Sequence, residues 1–573
     1  MAFFQKPFRP LSRLKSSKTM VWTFISGLVL ISTASTPDYF EISKNLDIFN
    51  AVYRELNASY VDGTKPGQLM KTGIDAMLQS LDPYTIYYTE NDIEDYRFMT
   101  TGEYGGVGAT VNDVDGKIMV SEPYEGFAAY KAGIRAGDEI VAINGINVEG
   151  KKTEDLGPLL KGQAGTPVKV KVIKAGTSTP VEVTMNREEI KTKAVPYYGL
   201  VGDQSGYIKL LSFTENCSGA VRDALIDLKG QGAKSIILDL RGNPGGLLLE
   251  AVNIVNLFID KGQEVVFTKG KSEVWDKSYT TMNAPVDKTI PLVVLVDEHS
   301  ASASEIVSGA LQDLDRAVVI GKRTYGKGLV QQTKELVYHS QIKVTVAKYY
   351  IPSGRCVQAL DYTHRDEEGR VEKVPDSLIT AFKTKGGRIV YDGAGVMPDV
   401  VTPDNHYANI TATLYRKYYI FHYATKYALA HPSIPAVKEF HLTDSDYNDF
   451  LAFIANKDIG YKTRSEEKLH EMKQEAVDDK LMDDISKEYA ALEKKISDSK
   501  KEDLQKYKKE IIAALEEEII ARYYFQKGRV EFDLRDSKEV NDAIALLKDQ
   551  GKAAQLLTKI EKPTRPFNPR KKF

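Results

Sequence analysis

The sequence predicts an α/β protein, with a core of parallel strand–helix units, a β-rich module inserted before it and helical segments at both ends. Three observations support this prediction. Between residues 206 and 320, apolar runs of strand length alternate with stretches of helical period. Between residues 102 and 186, short strands are separated by glycine turns. Before residue 97 and after residue 406, apolar residues recur at three- and four-residue steps.

Length and composition limit the classes of protein to consider. A chain of 573 residues with 42% hydrophobic residues should contain two to four domains with buried cores. The net charge of −2 gives no reason to expect nucleic acid as a partner. Eight histidines are scattered without paired spacing, so we expect no metal site and no cofactor. With only Cys217 and Cys356, a disulfide framework is excluded, and a single bridge stays open.

Residues 1–35 have the pattern of an export signal. The first nineteen residues carry several lysines and arginines and no acidic residue, and the segment from Met20 to Ala34 is mainly apolar and ends in small residues. We therefore expect an exported protein that is periplasmic or anchored in the inner membrane facing the periplasm. An uncleaved anchor is the alternative, and it would associate the protein with the membrane through its N-terminus.

Residues 36–97 are predicted to form a helical segment. Ile48, Val52 and Leu56 keep a helical period, and Pro83 marks the end of the helical stretch. We interpret this segment as packing or dimer-forming, which leaves a homo-oligomer open.

Residues 98–187 are predicted to form the β-rich module. A glycine-rich turn at its start leads into a strand, and it consists of Tyr104, Gly105, Gly106, Val107 and Gly108. Such a turn offers backbone N–H groups to a terminal carboxylate, and the edge of the next strand can pair with the peptide behind that carboxylate. The alternative is a glycine hairpin that binds no ligand.

Residues 188–405 contain the predicted α/β core. A strand–helix–strand pattern begins at Gly206 and is followed by the turn Asn243-Pro244-Gly245-Gly246 and a second helix. Two glycines at the head of a helix allow an exposed backbone N–H, which suits an oxyanion as well as a phosphate. Taken alone, without Ser302 and Lys327, the four-residue turn favours a tight turn of no chemical role.

The region from Ser300 to Gln331 is the strongest candidate for chemistry. Ser300, Ser302 and Ser304 follow the apolar strand Pro291–Val296 and precede a helical run, so they lie where a buried strand becomes a helix. The free N–H groups and positive dipole end of that helix would face an oxyanion formed there. Helix capping by one serine is the alternative explanation.

Lys327 is the candidate base for a serine nucleophile. It lies in a Gly-Lys-Gly turn just after the next strand, where enclosure would lower the pKa of its amine. His299 is adjacent to Ser300 and should point the opposite way. The segment from Gly321 also fits part of a phosphate-binding loop, but Gly328 stands where that motif needs Ser or Thr for magnesium.

Together, Ser-Ala-Ser-Ala-Ser-Glu-Ile, Gln-Asp and Tyr-Gly-Lys-Gly-Leu-Val-Gln resemble the active-site block of the C-terminal processing peptidases, or tail-specific proteases. The resemblance implies that Ser302 is the nucleophile and Lys327 the general base, with Gln331 orienting the lysine amine. It also implies an oxyanion hole formed by Gly246 and Ala303, and it matches Asp313 to a supporting position.

The resemblance extends beyond this block. Residues 98–187 resemble a PDZ domain, the core is expected to be crotonase/ClpP-like, and Gly395-Val396-Met397-Pro398-Asp399 is similar to the usual end of the core. These features imply a Ser–Lys endopeptidase that cleaves proteins near or from their C-terminus after the PDZ domain recognises the tail. Its partners would be proteins and peptides with a free C-terminus. A non-catalytic PDZ scaffold and a hydrolase of small acyl substrates are the alternatives.

Residues 406–573 are predicted to be a helical C-terminal extension that these motifs do not cover. Leu481, Ile485 and Tyr489 begin a series of apolar residues at helical spacing within a region dense in lysine and glutamate. Such amphipathic helices would pack either on the chain's own core or on a second subunit. The basic end from Lys562 is interpreted as a solvated tail.

Overall fold

The computed structural model describes residues 37–366, 369–403, 407–500 and 502–560. The apolar segment from Met20 to Ala34 and the basic tail from Lys562 lie outside the described residues, so export of the protein stays a prediction. Among the described residues, no helix has both the length and the apolar character needed to cross a membrane. The chain divides after Ser80 into two compact units, each of which is described by itself.

From residue 37 onwards, where the description begins, the first unit contains the helices α1 (Pro37–Ser59) and α2 (Pro66–Gln79). Pro66 occupies the first turn of α2, where its missing N–H costs no hydrogen bond. The hydroxyl of Tyr53 donates to the carbonyl oxygen of Pro66 at 2.8 Å, which fixes the end of the connecting loop against α1.

The second unit begins with a strand that the helical pattern did not predict. β1 (Ile86–Tyr88) comes before α3 (Ile93–Thr101) and pairs antiparallel with a strand of the second half of the chain. Three residues are too few to reveal a period of two, and the partner is distant in sequence, so local pattern could not identify this strand.

The β-rich module contains a sheet in the order β3-β4-β5-β7-β8, with β6 attached to β5. β3 has a neighbour on only one side and is therefore an edge strand. β2 pairs separately with β9. In chain order the elements are β2 (Glu103–Gly106), β3 (Ala109–Val114), β4 (Lys117–Pro123), α4 (Ala128–Lys131), β5 (Glu139–Ile143), β6 (Ile146–Asn147), a 3-10 helix (Thr153–Leu156), α5 (Gly157–Leu160), β7 (Pro167–Ile173), β8 (Pro180–Asn186) and β9 (Glu188–Lys191).

The core contains a six-stranded sheet in the order β10-β11-β12-β15-β16-β23, in which all neighbouring pairs except β10-β11 are parallel. Its central strands are continuous apolar runs because helices cover both faces of the sheet. The elements in this part of the chain are β10 (Tyr197–Val201), β11 (Ser205–Lys209), α6 (Cys217–Gly230), β12 (Ser235–Asp239), α7 (Leu248–Asn256), β15 (Leu292–Val296), α8 (Ala303–Asp313), β16 (Val318–Gly321) and β23 (Val400–Val401).

A second sheet lies beside the first and has the order β1-β18-β13-β14, with β17 also paired to β18. Its remaining strands are β13 (Glu264–Gly270), β14 (Lys277–Thr280), β17 (Leu329–Glu335) and β18 (Gln341–Tyr350). Two small hairpins follow, formed by β19 (Leu360–Arg365) with β20 (Val371–Lys373) and by β21 (Ala381–Lys383) with β22 (Ile389–Tyr391).

The C-terminal extension packs within this chain in two ways. Its first helices enclose an apolar core of their own, and its last ones cover one face of the six-stranded sheet, while α6, α7 and α8 contribute to the core on the other face. The helices are α9 (Asn409–Arg416), α10 (Tyr419–Ala430), α11 (Asp444–Ile454), α12 (Arg464–Asp478), α13 (Met482–Lys500), α14 (Asp503–Lys506), α15 (Lys508–Asp536, kinked at Phe525), α16 (Lys538–Lys548) and α17 (Gln550–Thr558).

Candidate active site

Ser302 lies at the junction of β15 and α8 and is partly exposed. Its backbone has φ 54° and ψ −111°, a strained conformation of the kind that functional sites retain. Ser300 and Ser304 are buried, and their hydroxyls donate to the carbonyl oxygens of Leu240 (2.8 Å) and Asn243 (2.9 Å). Of the three serines, Ser302 is therefore the one whose hydroxyl is accessible to a substrate.

The carboxylate of Glu305 joins the Ser302 segment to the lysine turn. It accepts hydrogen bonds from the backbone N–H groups of Ser302 (2.9 Å), Gly326 (2.7 Å) and Lys327 (2.8 Å), and from the hydroxyl of Thr324 (2.6 Å). Burial raises the pKa of this carboxyl, and the four donors oppose the effect. One buried side chain thus fixes the backbone positions of Ser302 and Lys327 relative to each other.

Lys327 is half-buried, and burial lowers the pKa of its amine to about 8. The neighbouring Lys343 contributes to the lowering, whereas Asp82 and Glu305 oppose it. The Nζ atom lies 4.1 Å from the centroid of the Tyr84 ring, and within the described residues it donates no hydrogen bond. A lysine with this pKa is partly neutral near pH 7 and can accept a proton.

The predicted oxyanion donors are the N–H groups of Gly246 and Ala303. Neither forms a hydrogen bond within the part of the chain that the structure describes, whereas the N–H of Gly245 is occupied by Asn243 Oδ1 at 2.9 Å. A Cβ added to Gly245 would lie 2.9 Å from the Ala303 nitrogen and 2.9 Å from Ser302 Cβ. The glycine turn therefore lies directly against the Ser302 segment.

Gln331 and Asp313 have partners other than the predicted dyad. In β17, the Gln331 amide donates to Thr345 Oγ1 at 3.2 Å, and no hydrogen bond joins it to Lys327 within the described residues. Asp313 lies at the opposite end of α8 from Ser302, about 16 Å away at 1.5 Å per residue. Its buried carboxylate accepts hydrogen bonds from Arg355 (2.9 Å) and the Ser353 N–H (3.0 Å), so it anchors the turn after β18.

Two residues near Ser302 were not predicted from the sequence. Glu305 could have been found, because Ser followed three residues later by Glu is the signature of a capping box at a helix N-terminus. Tyr349, fully buried in β18, donates its hydroxyl to the carbonyl oxygen of Ser302 at 3.1 Å. No local pattern marks Tyr349, because its contact arises only when the second sheet packs beside Ser302.

The glycine segment of the β-rich module differs from the expected open turn. Tyr104, Gly105 and Gly106 lie in the paired strand β2, and all residues from Tyr104 to Gly108 are buried. The N–H of Gly105 donates to the carboxylate of Glu94 at 2.9 Å. The N–H groups of Val107 and Gly108 have no partner among the described residues, and they immediately precede the edge strand β3.

The described ranges bear on metal binding and on the two cysteines. They contain no group of three or more His, Cys, Asp and Glu side chains that could hold a metal ion. Within these ranges no disulfide joins Cys217 to Cys356, so the single bridge that the sequence left open does not form.

Family models match three consecutive regions of the chain. Residues 119–174 match the PDZ domain, residues 204–364 match peptidase family S41, and residues 410–547 match the probable PDZ-protease C-terminal helical domain. A likeness to the photosystem II D1 C-terminal processing protease has 28% identity over 62% of this chain and 92% of that one, and its TM-score of 0.34 is too low to support an argument.

Curated relatives agree with these models. The carboxy-terminal-processing protease of Bartonella bacilliformis is 34% identical over 60% of this chain and 79% of its own length. The carboxy-terminal processing protease CtpA of Bacillus subtilis is 34% identical over 60% of this chain and 72% of its own length. A probable CtpA-like serine protease of Staphylococcus aureus is 32% identical over 78% of this chain and 81% of its own length. The chain therefore belongs to the carboxy-terminal processing proteases of peptidase family S41, and it is a serine protease with a PDZ domain and a helical C-terminal domain.

Proposed function

We propose that this protease uses Ser302 as its nucleophile and Lys327 as its general base. The observation that carries the proposal is the buried Glu305 carboxylate, which accepts hydrogen bonds from the backbone N–H groups of both residues. A nucleophile and its base must be held in a fixed relation, because small displacements of reacting groups strongly reduce the rate. The lowered pKa of Lys327 supplies the second requirement, an amine that can be neutral near pH 7.

The reaction would proceed through an acyl-enzyme. The neutral amine of Lys327 takes the hydroxyl proton of Ser302 as Oγ attacks the carbonyl carbon of the scissile peptide bond. The N–H groups of Gly246 and Ala303 donate to the resulting oxyanion. Lys327 then returns the proton to the leaving amine. Water, activated by the same amine, hydrolyses the ester and regenerates Ser302.

Substrate selection would begin at the PDZ domain. The N–H groups of Val107 and Gly108 have no partner in the described chain, and a terminal carboxylate meeting them would gain charge-assisted hydrogen bonds. The edge strand β3 leaves one side open for pairing with the residues behind that carboxylate. The proposed function is therefore C-terminal processing of proteins whose free tail is recognised by the PDZ domain.

Cleavage of an unfolded protein substrate tests the catalytic part of this proposal. Ser302→Ala should abolish cleavage and leave the free energy of unfolding nearly unchanged. Ser300→Ala and Ser304→Ala are matched controls that remove structural hydroxyls, so they should lower stability by about 1 kcal/mol and retain cleavage.

Wild-type rates in Ser302→Ala would refute the assignment. A wild-type protein that binds free-tail peptides and cleaves none of them would instead indicate a non-catalytic PDZ scaffold.

A further inference from the structure

The ring of Tyr84 covers the amine of Lys327. The Nζ atom lies 4.1 Å from the ring centroid, within the range of a cation–π interaction. Within the described residues Nζ lies against this ring and donates no hydrogen bond. The assignment of Lys327 as the base does not explain this contact. An amine that lies against a ring is not hydrogen-bonded to the Ser302 hydroxyl that it must deprotonate.

The segment that carries Tyr84 is held firmly. The buried carboxylate of Asp82 accepts hydrogen bonds from the backbone N–H groups of Tyr84 and Thr85, each at 2.8 Å, and from the Thr85 hydroxyl at 3.0 Å. The Thr85 hydroxyl also accepts a hydrogen bond from the Thr345 N–H in β18 at 3.2 Å. The position of the ring is therefore set by the fold.

Two other tyrosines fix the hydroxyl end of Tyr84. Tyr84 Oη donates to Tyr325 Oη at 3.3 Å and accepts from Tyr362 Oη at 3.4 Å, and the rings of Tyr84 and Tyr362 meet edge to face at 6.0 Å. Tyr325 is two residues before Lys327, and Tyr362 belongs to β19. The ring is thus oriented from two sides, with its face on the lysine amine.

We propose that Tyr84 is a positioning residue for the general base: its ring holds the protonated amine of Lys327 and releases it when the proton is lost. An aromatic face attracts an ammonium through its quadrupole and has no such attraction for a neutral amine. Deprotonation therefore frees the amine to approach Ser302, so the form that can act as a base is also the form that can move. This inference rests on the proposed role of Lys327.

Several other groups act on the same amine. Lys343 in β18 and burial favour the neutral form, whereas Asp82 before β1 and Glu305 in α8 favour the charged form. The hydroxyls of Tyr325 and Tyr362 are hydrogen-bonded to the Tyr84 hydroxyl. A test must therefore weaken the ring's electrostatic attraction without changing its volume, because a change in burial would shift the pKa of Lys327 by itself.

Fluorinated phenylalanines at position 84 meet this requirement, because fluorine withdraws charge from the ring face at nearly constant size. Tyr84→Phe is the reference, followed by one, two and three ring fluorines, all in the Ser302→Ala full-length protein. The pKa of Lys327 is read by NMR on Cε-labelled lysine, with Lys327→Arg assigning the signal. We expect that pKa to fall stepwise with each fluorine, by about one unit over the series.

The same substitutions at Tyr198, a partly exposed tyrosine of β10, are the control and should leave the pKa of Lys327 unchanged. A pKa that stays constant or rises along the position-84 series would overturn the proposal. This readout does not depend on turnover, so it separates the inference from the catalytic assignment, which would fail if Lys327→Ala retained full protease activity.

Discussion

At the residue scale, the proposed mechanism depends on the ionisation of Lys327. Its pKa is lowered to about 8, chiefly by burial, so about a tenth of the protein carries the neutral amine at pH 7. A general base acts in its deprotonated form, and the rate of cleavage should therefore rise with pH through this value and level off above it. The Gly-Lys-Gly turn predicted an enclosed lysine, and the structure has a half-buried lysine at this position.

Lys327→Arg should inactivate the protease as fully as Lys327→Ala. Arginine keeps the positive charge but cannot lose its proton in a protein, so the loss in kcat should be about 10²- to 10⁴-fold. Lys322→Arg, which alters a lysine paired on the surface with Glu298, is the control and should retain the wild-type pH profile. Measurable activity in Lys327→Arg, with the same fall in cleavage rate towards low pH as in the wild type, would exclude the base role of Lys327.

A substitution of Glu305 tests whether the relative position of Ser302 and Lys327 affects the rate of cleavage as their own side chains do. Glu305→Gln replaces one acceptor oxygen by an NH₂ group that must face backbone N–H donors. We expect kcat to fall at least about tenfold with little change in KM, and the free energy of unfolding to fall by about 1–3 kcal/mol. Steady-state kinetics and urea unfolding measure the two effects.

Glu298→Gln is the matched control, since this exposed glutamate lies in the loop before the nucleophile. It should change stability by less than about 0.5 kcal/mol. Wild-type kcat in Glu305→Gln would show that the hydrogen bonds of the Glu305 carboxylate to the Ser302 and Lys327 backbones are dispensable for cleavage.

At the scale of secondary-structure elements, the core was predictable and the short strands were not. Continuous apolar runs and helical periods identify β12, β15 and α8 because each is long enough to show its pattern. β1 and β2 are three and four residues long, and each is defined by a partner distant in sequence. Tyr104 to Gly106 therefore read as an open glycine turn although the backbone is paired.

The glycines of the PDZ segment provide a test of tail recognition. Gly108 has φ 72°, and a Cβ added there would lie 2.6 Å from Phe127 Cβ, whereas Gly116 has φ 79° with open space around it. Gly108→Ala and Gly116→Ala thus carry similar backbone strain but differ in crowding at the N–H groups before β3. Wild-type protein should cleave a substrate with a free C-terminus faster than its amidated form.

Gly108→Ala should lose this preference and Gly116→Ala should keep it. The measurement is the ratio of kcat/KM for the free and amidated substrates. Equal cleavage of both substrates by the wild-type protein would contradict tail recognition, even where the catalytic dyad is intact.

At the scale of the whole molecule, the C-terminal extension is part of the core's packing. Arg241, in the turn after β12, donates to Asp239 (2.6 Å) and also to Asp533 (2.8 Å) and the Ser537 hydroxyl (2.9 Å) of the extension. Amphipathic spacing predicted that these helices have an apolar face, but the pattern could not identify what that face covers. α16 packs on the six-stranded sheet through four apolar residues, Val540, Ala543, Leu546 and Leu547.

Leu546→Ala should therefore destabilise the catalytic core. Removing a buried leucine costs about 2–5 kcal/mol, and the cavity would lie against the sheet. Hydrogen–deuterium exchange should accelerate in β12 and β16. Leu492→Ala, at an exposed position of α13, should stay within about 0.5 kcal/mol of wild type. Unchanged exchange in these strands would mean that the extension is an independent appendage.

The central claim, that Ser302 is acylated with the help of Lys327, is tested most directly by locating the acyl group. A peptide ester substrate can be mixed with the protease, quenched in acid, and the adduct mapped by mass spectrometry after digestion. We predict one adduct, on Ser302, that is absent from Ser302→Ala and from Lys327→Arg. An adduct on any other residue, or an equal yield in either variant, would contradict the account.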